Sequence, residues 1–149
     1  MDFTKLIISS MMLSDLDEIK EILEKDFDNF WNYQIFKEEI TNNNSRCLVA
    51  RYDDEIVCFA CIRIILDEAD IMNIVTKKTK RNMGFAKLLL NELITISSEE
   101  NCKQITLEVN ENNISAIHLY EKFNFKQVGL RKNYYNNTEN AILMTLNLK

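Results

Sequence analysis

The chain has 149 residues, of which 46% are hydrophobic and 28% are charged, the balance of an ordinary globular protein. Its length suits one domain, residues 1–149, whose core needs no metal or disulfide, and its net charge of −5 argues against a general nucleic-acid-binding protein. Because the N-terminus lacks a secretory apolar stretch and no apolar run reaches the roughly 18 residues of a membrane span, we expect a cytoplasmic protein with no membrane or nucleic-acid partner.

The first forty residues predict a short strand followed by two helices. Residues 3–9 form a β-type run, and Ser14 is placed to cap a helix over residues 15–27, where Leu, Ile and Phe recur at helical spacing. Asn32 is placed to cap a second helix, which ends at Thr41 before a run of Asn.

A hairpin follows these helices. Residues 46–52 and 56–65 are β-type runs, and Asp53-Asp54 between them is a turn pair. The second run contains Cys58 and Cys61, whose C-x-x-C spacing points to opposite faces of a strand. No second pair completes a zinc site and no helix start follows to make a redox motif, so we expect free, buried or half-buried thiols and no metal.

The second half of the sequence alternates strands and helices. Each strand-like run is rich in β-branched residues, and each helical run carries an apolar stripe. Asn124 is placed for the left-handed position after a helix. The order predicts an α/β sandwich with a mixed sheet; its strands are residues 70–76, 103–109, 125–134 and 141–148, and its helices are residues 84–101 and 114–123.

A basic turn joins the strand at residues 70–76 to the helix at residues 84–101. Four of the six residues from Lys77 to Asn82 are Lys or Arg. The first turn of a helix has N–H groups without intrahelical partners and the positive end of the helix dipole, so it binds anions, and Gly84 allows close approach of the backbone. A diphosphate would fit such a turn, although a solvated connection is the alternative.

Two motifs give the sequence a resemblance to a known family. Arg81-x-x-Gly84-x-Ala86 after a strand resembles the acetyl-CoA pyrophosphate loop of the GNAT acetyltransferases. The stretch L-E-V-N-E-N-N-I-S-A-I-H-L-Y at residues 107–120, with later K-N-Y-Y and A-I-L-M, is similar to the bacterial ribosomal-protein-alanine N-acetyltransferases of the RimI type. Further matches lie between Trp31 and Met144, with departures at Asn110, Asn124 and Asn140.

The resemblance implies the GNAT fold, a mixed and mostly antiparallel sheet of about seven strands with flanking helices. It implies acetyl-CoA as cosubstrate and no metal. The main chain at Ile74, Val75 and Thr76 would pair with the pantetheine and the acetyl carbonyl, and Asn113, besides capping a helix, would contact the CoA chain. The pyrophosphate would lie on the residues of the basic loop and helix start, namely Asn82, Met83, Gly84, Phe85, Ala86 and Lys87.

Acetyl transfer from a thioester needs a neutral amine and a proton for the leaving thiolate. Glu108 is the candidate base, because its apolar neighbours in the strand face the other way; an exposed strand Glu is the alternative. Tyr120 is the candidate acid, and a core aromatic is the alternative. The resemblance favours both catalytic roles. The lone His118 is expected to be a helix-surface residue, and Tyr134-Tyr135 either covers the peptide or packs across strands.

We therefore expect an acetyl-CoA-dependent enzyme that acetylates the N-terminal α-amine of a protein, a ribosomal protein such as S18 with its N-terminal alanine. An α-amine, with a pKa of about 7.7 to 8.0, is neutral often enough for one carboxylate base to suffice. Acetylation of a small amine, such as a polyamine or aminoglycoside, and a non-catalytic CoA-binding module stay open as alternatives. Asn110 and Asn140 leave the peptide preference open, and the sequence does not give the oligomeric state.

Overall fold

A computed structural model describes all residues from 1 to 149. Seven strands form one sheet in the order β1-β2-β3-β4-β5-β7-β6. The strands are β1 Leu6–Ser10, β2 Ser45–Tyr52, β3 Glu55–Ile65, β4 Glu68–Thr76, β5 Gln104–Asn110, β6 Lys126–Tyr135 and β7 Glu139–Asn147, and the α-helices are α1 Leu13–Ile19, α2 Tyr33–Thr41, α3 Phe85–Glu99 and α4 Ile114–Lys122.

The sheet is mixed, as predicted. β4 pairs with β5 in parallel, whereas β1–β2, β2–β3, β5–β7 and β6–β7 are antiparallel pairs. The expected mostly antiparallel sheet of about seven strands with flanking helices is confirmed. The longest helix, α3, has 15 residues, and none of the helices has the length and apolar character that crossing a membrane would require.

The N-terminal segment corrects two predictions. Phe3–Lys5 is a 3-10 turn rather than a strand, because the Asp2 carboxylate accepts a hydrogen bond from the Thr4 N–H (3.0 Å) and β1 begins only at Leu6. Helix α1 is capped at Met12 and not at Ser14. The Met12 N–H donates to Asp15 Oδ2 (2.7 Å), which starts the helix two residues earlier than the sequence suggests.

The helix predicted over residues 15–27 is also shorter than expected. Helix α1 ends at Ile19, and a separate π-helical turn covers Leu23–Phe27. The apolar side chains on both sides of this break are buried, among them Leu16, Leu23 and Phe27. Their spacing stays close to helical across the break, so the sequence pattern hides it.

The chain divides into two compact units. The first contains residues 1–63 and 72–95, and the second contains residues 64–71 and 96–149. That the chain is a single domain stays a prediction.

The core of the first unit is aromatic. The Phe36 ring lies 4.6 Å from that of Phe59 and 5.3 Å from that of Trp31, measured between centroids, and Phe27 packs 5.4 Å from Phe59. Helix α2 contributes Phe36 to this core. The helix starts as predicted at its cap Asn32, whose side chain accepts from the Ile35 N–H at 2.9 Å.

The hairpin of β2 and β3 in the first unit has the predicted turn. Asp53 and Asp54 both have positive φ, 51° and 71°, the signs that a two-residue I′ hairpin needs. Cys47 and Cys61 lie opposite each other across the two strands. All four cysteines of the chain are free and buried, as expected.

The second unit is built on β5, β7 and β6. Its helix α4 ends at Lys122, and the chain reverses at Asn124 with φ 71°, the left-handed position that was predicted. The Phe125 N–H donates to the Tyr120 carbonyl (3.1 Å), and the rings of these two residues lie 5.7 Å apart. This contact fixes Tyr120 on the helix relative to the start of β6.

Candidate active site

The loop between β4 and α3 lies in the first unit and begins with an anchored residue. The Lys77 N–H donates to the Val57 carbonyl at 2.8 Å, directly after the last residue of β4. A 3-10 turn follows at Lys78–Lys80. Asn82 and Gly84 then adopt positive φ, 64° and 90°. These two left-handed residues turn the backbone into α3.

The start of α3 fits an anion. The Leu88 N–H donates to the Gly84 carbonyl (3.2 Å), which is the first hydrogen bond of the helix. The N–H groups of residues 85 to 87, which precede Leu88, therefore have no acceptor within the helix. A Cβ placed on Gly84 would have no atom within 4 Å, so the space beside the backbone is open there. Phe85 is buried against the Tyr52 ring (5.6 Å between centroids), which anchors the helix by its side chain. The geometry therefore suits a diphosphate bound by main-chain groups.

The basic side chains of the loop are partly neutralised within the first unit. Lys77 and Lys80 lie 3.0 Å and 3.9 Å from the Glu55 carboxylate. Arg81 donates to the Phe27 carbonyl at 3.4 Å. Anion binding at this loop would thus depend on backbone N–H groups more than on these cations.

The last residues of β4 lead into the loop. The register of β4 with β5 runs from Glu68 to Asp70, and the expected pantetheine residues Ile74, Val75 and Thr76 lie beyond it. Val75 is buried, and the Thr76 hydroxyl lies 3.4 Å from the Cys58 thiol. Burial raises the pKa of Cys58 to about 12, so that thiol stays neutral.

One side-chain atom near these residues lacks a partner. The amide nitrogen of Asn73 is buried and makes no hydrogen bond. Nothing in the sequence singles out this residue, because the sequence of a strand does not show which partners an Asn side chain has.

Strand β5 of the second unit presents Glu108 as predicted. Leu107 and Val109 are buried, and the Glu108 side chain, 28% exposed, alternates with them. Glu108 Oε1 lies 3.1 Å from Arg131 Nη2 on β6. The negative charge of Glu108 raises the pKa of Tyr134, and partial burial and a hydrogen bond between the two side chains raise it further.

Tyr120 on α4 is a buried phenol of the same unit. Tyr120 is only 8% exposed. Burial raises the pKa of Tyr120 to about 12, and the neighbouring Tyr135 adds to the effect. The phenol is therefore fully protonated at neutral pH and can donate a proton or a hydrogen bond. The alternative seen in the sequence, a core aromatic, also describes the ring, which packs on Phe125.

The ends of β5 and β7 hold a group of amides and one carboxylate. Asn110 Nδ2 and Asn112 Nδ2 donate to Glu139 Oε2 at 2.5 Å and 3.1 Å, and these hydrogen bonds lower the pKa of Glu139. The Asn140 side chain accepts from the Asn133 N–H at 2.9 Å. The departures at Asn110 and Asn140 thus both enter local polar contacts.

Asn113 caps α4 as predicted, with its side chain accepting from the Ala116 N–H at 3.2 Å. His118 is exposed on the same helix, also as expected. The structure thus groups the predicted residues by unit. Ile74–Thr76 and Asn82–Lys87 lie in the first unit, and Glu108, Asn113 and Tyr120 lie in the second.

Two charged residues of the second unit were not assigned a role from the sequence. Arg131 on β6 is held by Glu108, which lies on β5 beyond the intervening β7, and Glu139 on β7 is held by Asn110 on the neighbouring β5. Arg131 directly precedes the K-N-Y-Y motif, but the motif shows nothing of its partner. That pairing depends on how β6 and β5 flank β7, which the sequence does not give.

Comparison with known proteins finds similar sequences and similar structures. A family model described as the acetyltransferase (GNAT) family matches residues 16–125. A ribosomal protein bS18-alanine N-acetyltransferase of Haemophilus influenzae is 36% identical over 144 residues, covering 93% of this chain and 96% of that protein. The crystal structure of the ribosomal-protein-S18-alanine N-acetyltransferase from Escherichia coli is 28% identical with a TM-score of 0.88, covering 97% of this chain and 94% of that one. Arabidopsis thaliana NAA60 in complex with acetyl-CoA shares the fold, with a TM-score of 0.80 at 20% identity, covering 96% and 98% of the two chains.

Proposed function

Because the chain belongs to the acetyltransferase (GNAT) family, we propose that it moves the acetyl group of acetyl-CoA to the N-terminal α-amine of a ribosomal protein that begins with alanine. The choice of substrate rests on one observation, the 36% identity over nearly the whole chain to the Haemophilus influenzae enzyme that bears this activity in its name. The proposal includes a cytoplasmic location, where ribosomal proteins are made.

We assign acetyl-CoA to the loop and helix start of the first unit. Its pyrophosphate would accept hydrogen bonds from main-chain N–H groups between Asn82 and Lys87, supported by the positive φ of Gly84 and the open space beside it. Its pantetheine would pair with the main chain of Ile74–Thr76 like an added strand. Asn113 would contact the CoA chain while it caps α4.

We assign the proton transfers to the second unit. Glu108 would take a proton from the incoming ammonium group, and the neutral nitrogen would attack the thioester carbonyl carbon. The C–N bond forms, the C–S bond breaks, and Tyr120 would protonate the departing thiolate. The nitrogen loses its second proton to restore the phenol, so the products are the amide, free CoA and one proton released from Glu108. The protonated state of Tyr120 at neutral pH supports its role as acid.

Mass spectrometry on matched amines tests the substrate. Purified protein is incubated with acetyl-CoA and one of three acceptors: a basic peptide beginning with alanine, the same peptide blocked at its N-terminus, or spermidine. We expect acetylation of the free peptide at its α-amine and none of the blocked one. Acetylation of spermidine alone would reject the peptide substrate in favour of a small amine. Binding of acetyl-CoA without release of the free CoA thiol in the presence of any acceptor would indicate a non-catalytic CoA-binding module.

A further inference from the structure

Arg131 forms an ion pair with the Glu108 carboxylate. Its guanidinium Nη2 lies 3.1 Å from Glu108 Oε1 and its central carbon lies 5.1 Å from the centre of the Tyr134 ring. The carboxylate that we assign to the substrate amine is therefore already paired with a cation of the protein itself.

This ion pair is built so that it can open. The Arg131 side chain is 55% exposed, whereas Glu108 is 28% exposed. Arg131 lies on β6, whose only sheet neighbour is β7, so it belongs to an edge strand. For ion pairs with this exposure, the equilibrium constant favours the paired over the separated side chains by only about two- to fivefold. A second cation can thus displace the guanidinium at small cost.

The Tyr134 ring forms a second favourable contact with the Arg131 guanidinium. Its centre is within the roughly 6 Å at which a guanidinium is attracted to an aromatic face. Tyr134 itself packs edge-on against Tyr135, with ring centroids 4.9 Å apart. The guanidinium can leave the carboxylate and keep its contact with the ring.

We propose that Arg131 is a displaceable counter-ion that the cationic amine of the substrate must replace at Glu108, and that returns when the amine has become a neutral amide. The inference rests on the proposed function, since it needs Glu108 to receive the amine. Arg131 thereby weakens the binding of the charged substrate, which has to displace it, and leaves the binding of the uncharged product unaffected.

Binding without turnover tests this directly. The probe is a basic peptide whose N-terminal alanine carries two methyl groups, which stays cationic and yields no stable amide. A peptide of the same sequence with an acetylated N-terminus represents the neutral product. Calorimetry in the presence of CoA compares wild type with Arg131→Gln, Arg131→Met and Arg131→Lys. Lys132→Gln is the matched control, because it removes the same charge from the next, exposed residue of β6.

Arg131→Gln and Arg131→Met should bind the dimethylated peptide about two- to fivefold more tightly than wild type. Arg131→Lys and Lys132→Gln should stay near wild type, and no variant should change the affinity for the acetylated peptide. In a Glu108→Gln background, Arg131→Gln should have no effect. A purely structural role of Arg131 would weaken both peptides equally.

Unchanged or weaker binding of the dimethylated peptide by both neutral variants would overturn the inference while leaving the proposed function intact. A wild-type protein that binds neither peptide would overturn the proposed function and this inference with it. Tighter binding that persists in the Glu108→Gln background would assign the effect to general charge, which also overturns the role of Arg131 at Glu108.

Discussion

At the scale of single residues, Glu108 and Tyr120 owe their different environments to their elements. Glu108 alternates with buried Leu107 and Val109 on a strand, so its carboxylate stays partly exposed. Tyr120 lies on the buried face of α4, where desolvation favours the neutral phenol. The strand thus carries a partly exposed carboxylate, and the helix carries a phenol that is protonated at neutral pH.

Glu108→Gln should lower turnover about 100-fold while acetyl-CoA affinity stays near wild type, because the amide cannot accept the proton of the amine. The remaining rate should rise with the neutral fraction of the peptide amine up to about pH 8. Steady-state kinetics across pH, together with calorimetry, measure both effects. Glu121→Gln, at an exposed position on α4, is the control. Unchanged turnover of Glu108→Gln at pH 7 would remove Glu108 from the mechanism.

Tyr120→Phe should lower turnover about tenfold or more and also change the response of the fold to alkali. The pKa of Tyr120 is about 12 in the folded protein and about 10 when unfolded. The unfolded state therefore loses its proton first, and wild-type stability falls as pH rises above about 10. By pH 11 this loss is about 1.4 kcal/mol, and Tyr120→Phe should be spared it.

Urea unfolding of both proteins at pH 8 and pH 11 measures this difference. The other tyrosines and the lysines titrate in both proteins, so their effects cancel in the comparison. An equal loss of stability in the two proteins would show that the folded-state pKa of Tyr120 is not raised.

The sequence was sufficient to place Glu108 on its strand, Tyr120 on its helix and Asn113 at the helix cap, because alternation and helical spacing are local patterns. It was insufficient for Arg131 and Glu139. Their partners lie on other strands, and register across strands is set by the folded sheet rather than by the neighbours of a residue.

At the scale of elements, the same distinction explains the errors near the N-terminus. The break between Ile19 and Leu23 leaves the apolar spacing nearly unchanged, so periodicity alone cannot detect it. The cap at Met12 rests on a carboxylate three residues later, whereas Ser14, the better capping residue by type, lies inside the helix. A single hydrogen bond thus outweighed residue preference.

The turn between β3 and β4 contains an exposed apolar residue in an unfavourable backbone conformation. Leu66 has φ 57° and is 91% exposed, so it bears the strain of a left-handed conformation without gaining burial. Leu66→Gly should raise the free energy of unfolding by about 1 kcal/mol, because glycine adopts this φ without the Cβ clash. Urea unfolding measures the gain. Ile65→Gly, one residue earlier and within the strand, should lose stability instead; a loss in Leu66→Gly as well would contradict the prediction.

In the turn before α3, removing a glycine should lower the stability of the protein. Gly84 has φ 90° with open space beside it. Gly84→Ala should therefore cost about 1 to 2 kcal/mol through backbone conformation alone. By moving the N–H groups of the helix start, it should lower affinity for CoA about tenfold or more.

Calorimetry with CoA and urea unfolding separate these two effects of Gly84→Ala. Asn101→Gly, at another left-handed position just after α3 with φ 63°, should leave CoA affinity unchanged. If Gly84→Ala bound CoA as tightly as wild type, the pyrophosphate would have to lie elsewhere.

At the scale of the whole molecule, the net charge of −5 favours basic partners. For a peptide that begins with alanine and carries several arginines, kcat/KM should fall about tenfold or more between about 0.05 M and 0.5 M NaCl, since salt shortens the range of the attraction. A peptide with glutamines in place of the arginines should change little. Equal salt dependence of the two peptides would show that the acidic surface does not attract the substrate.

The α/β class and the mostly antiparallel sheet could be predicted because strands and helices alternate along the chain and the motifs resemble one family. The order of strands could not, since β7 lies between β5 and β6 in the sheet although it follows both in sequence. Long-range pairing of this kind depends on contacts that local patterns do not encode.

The four cysteines, all free and buried, make the native molecule poorly reactive toward thiol reagents. Burial raises the pKa of Cys58 to about 12 and also raises that of Cys61 and Cys102, and the thiolate is the reactive form. A cysteine introduced at an exposed position such as Val128 on β6 would therefore take up a maleimide fluorophore almost alone. A dye at that point could report the arrival of a peptide in real time, without first stripping the native sulfur atoms from the chain.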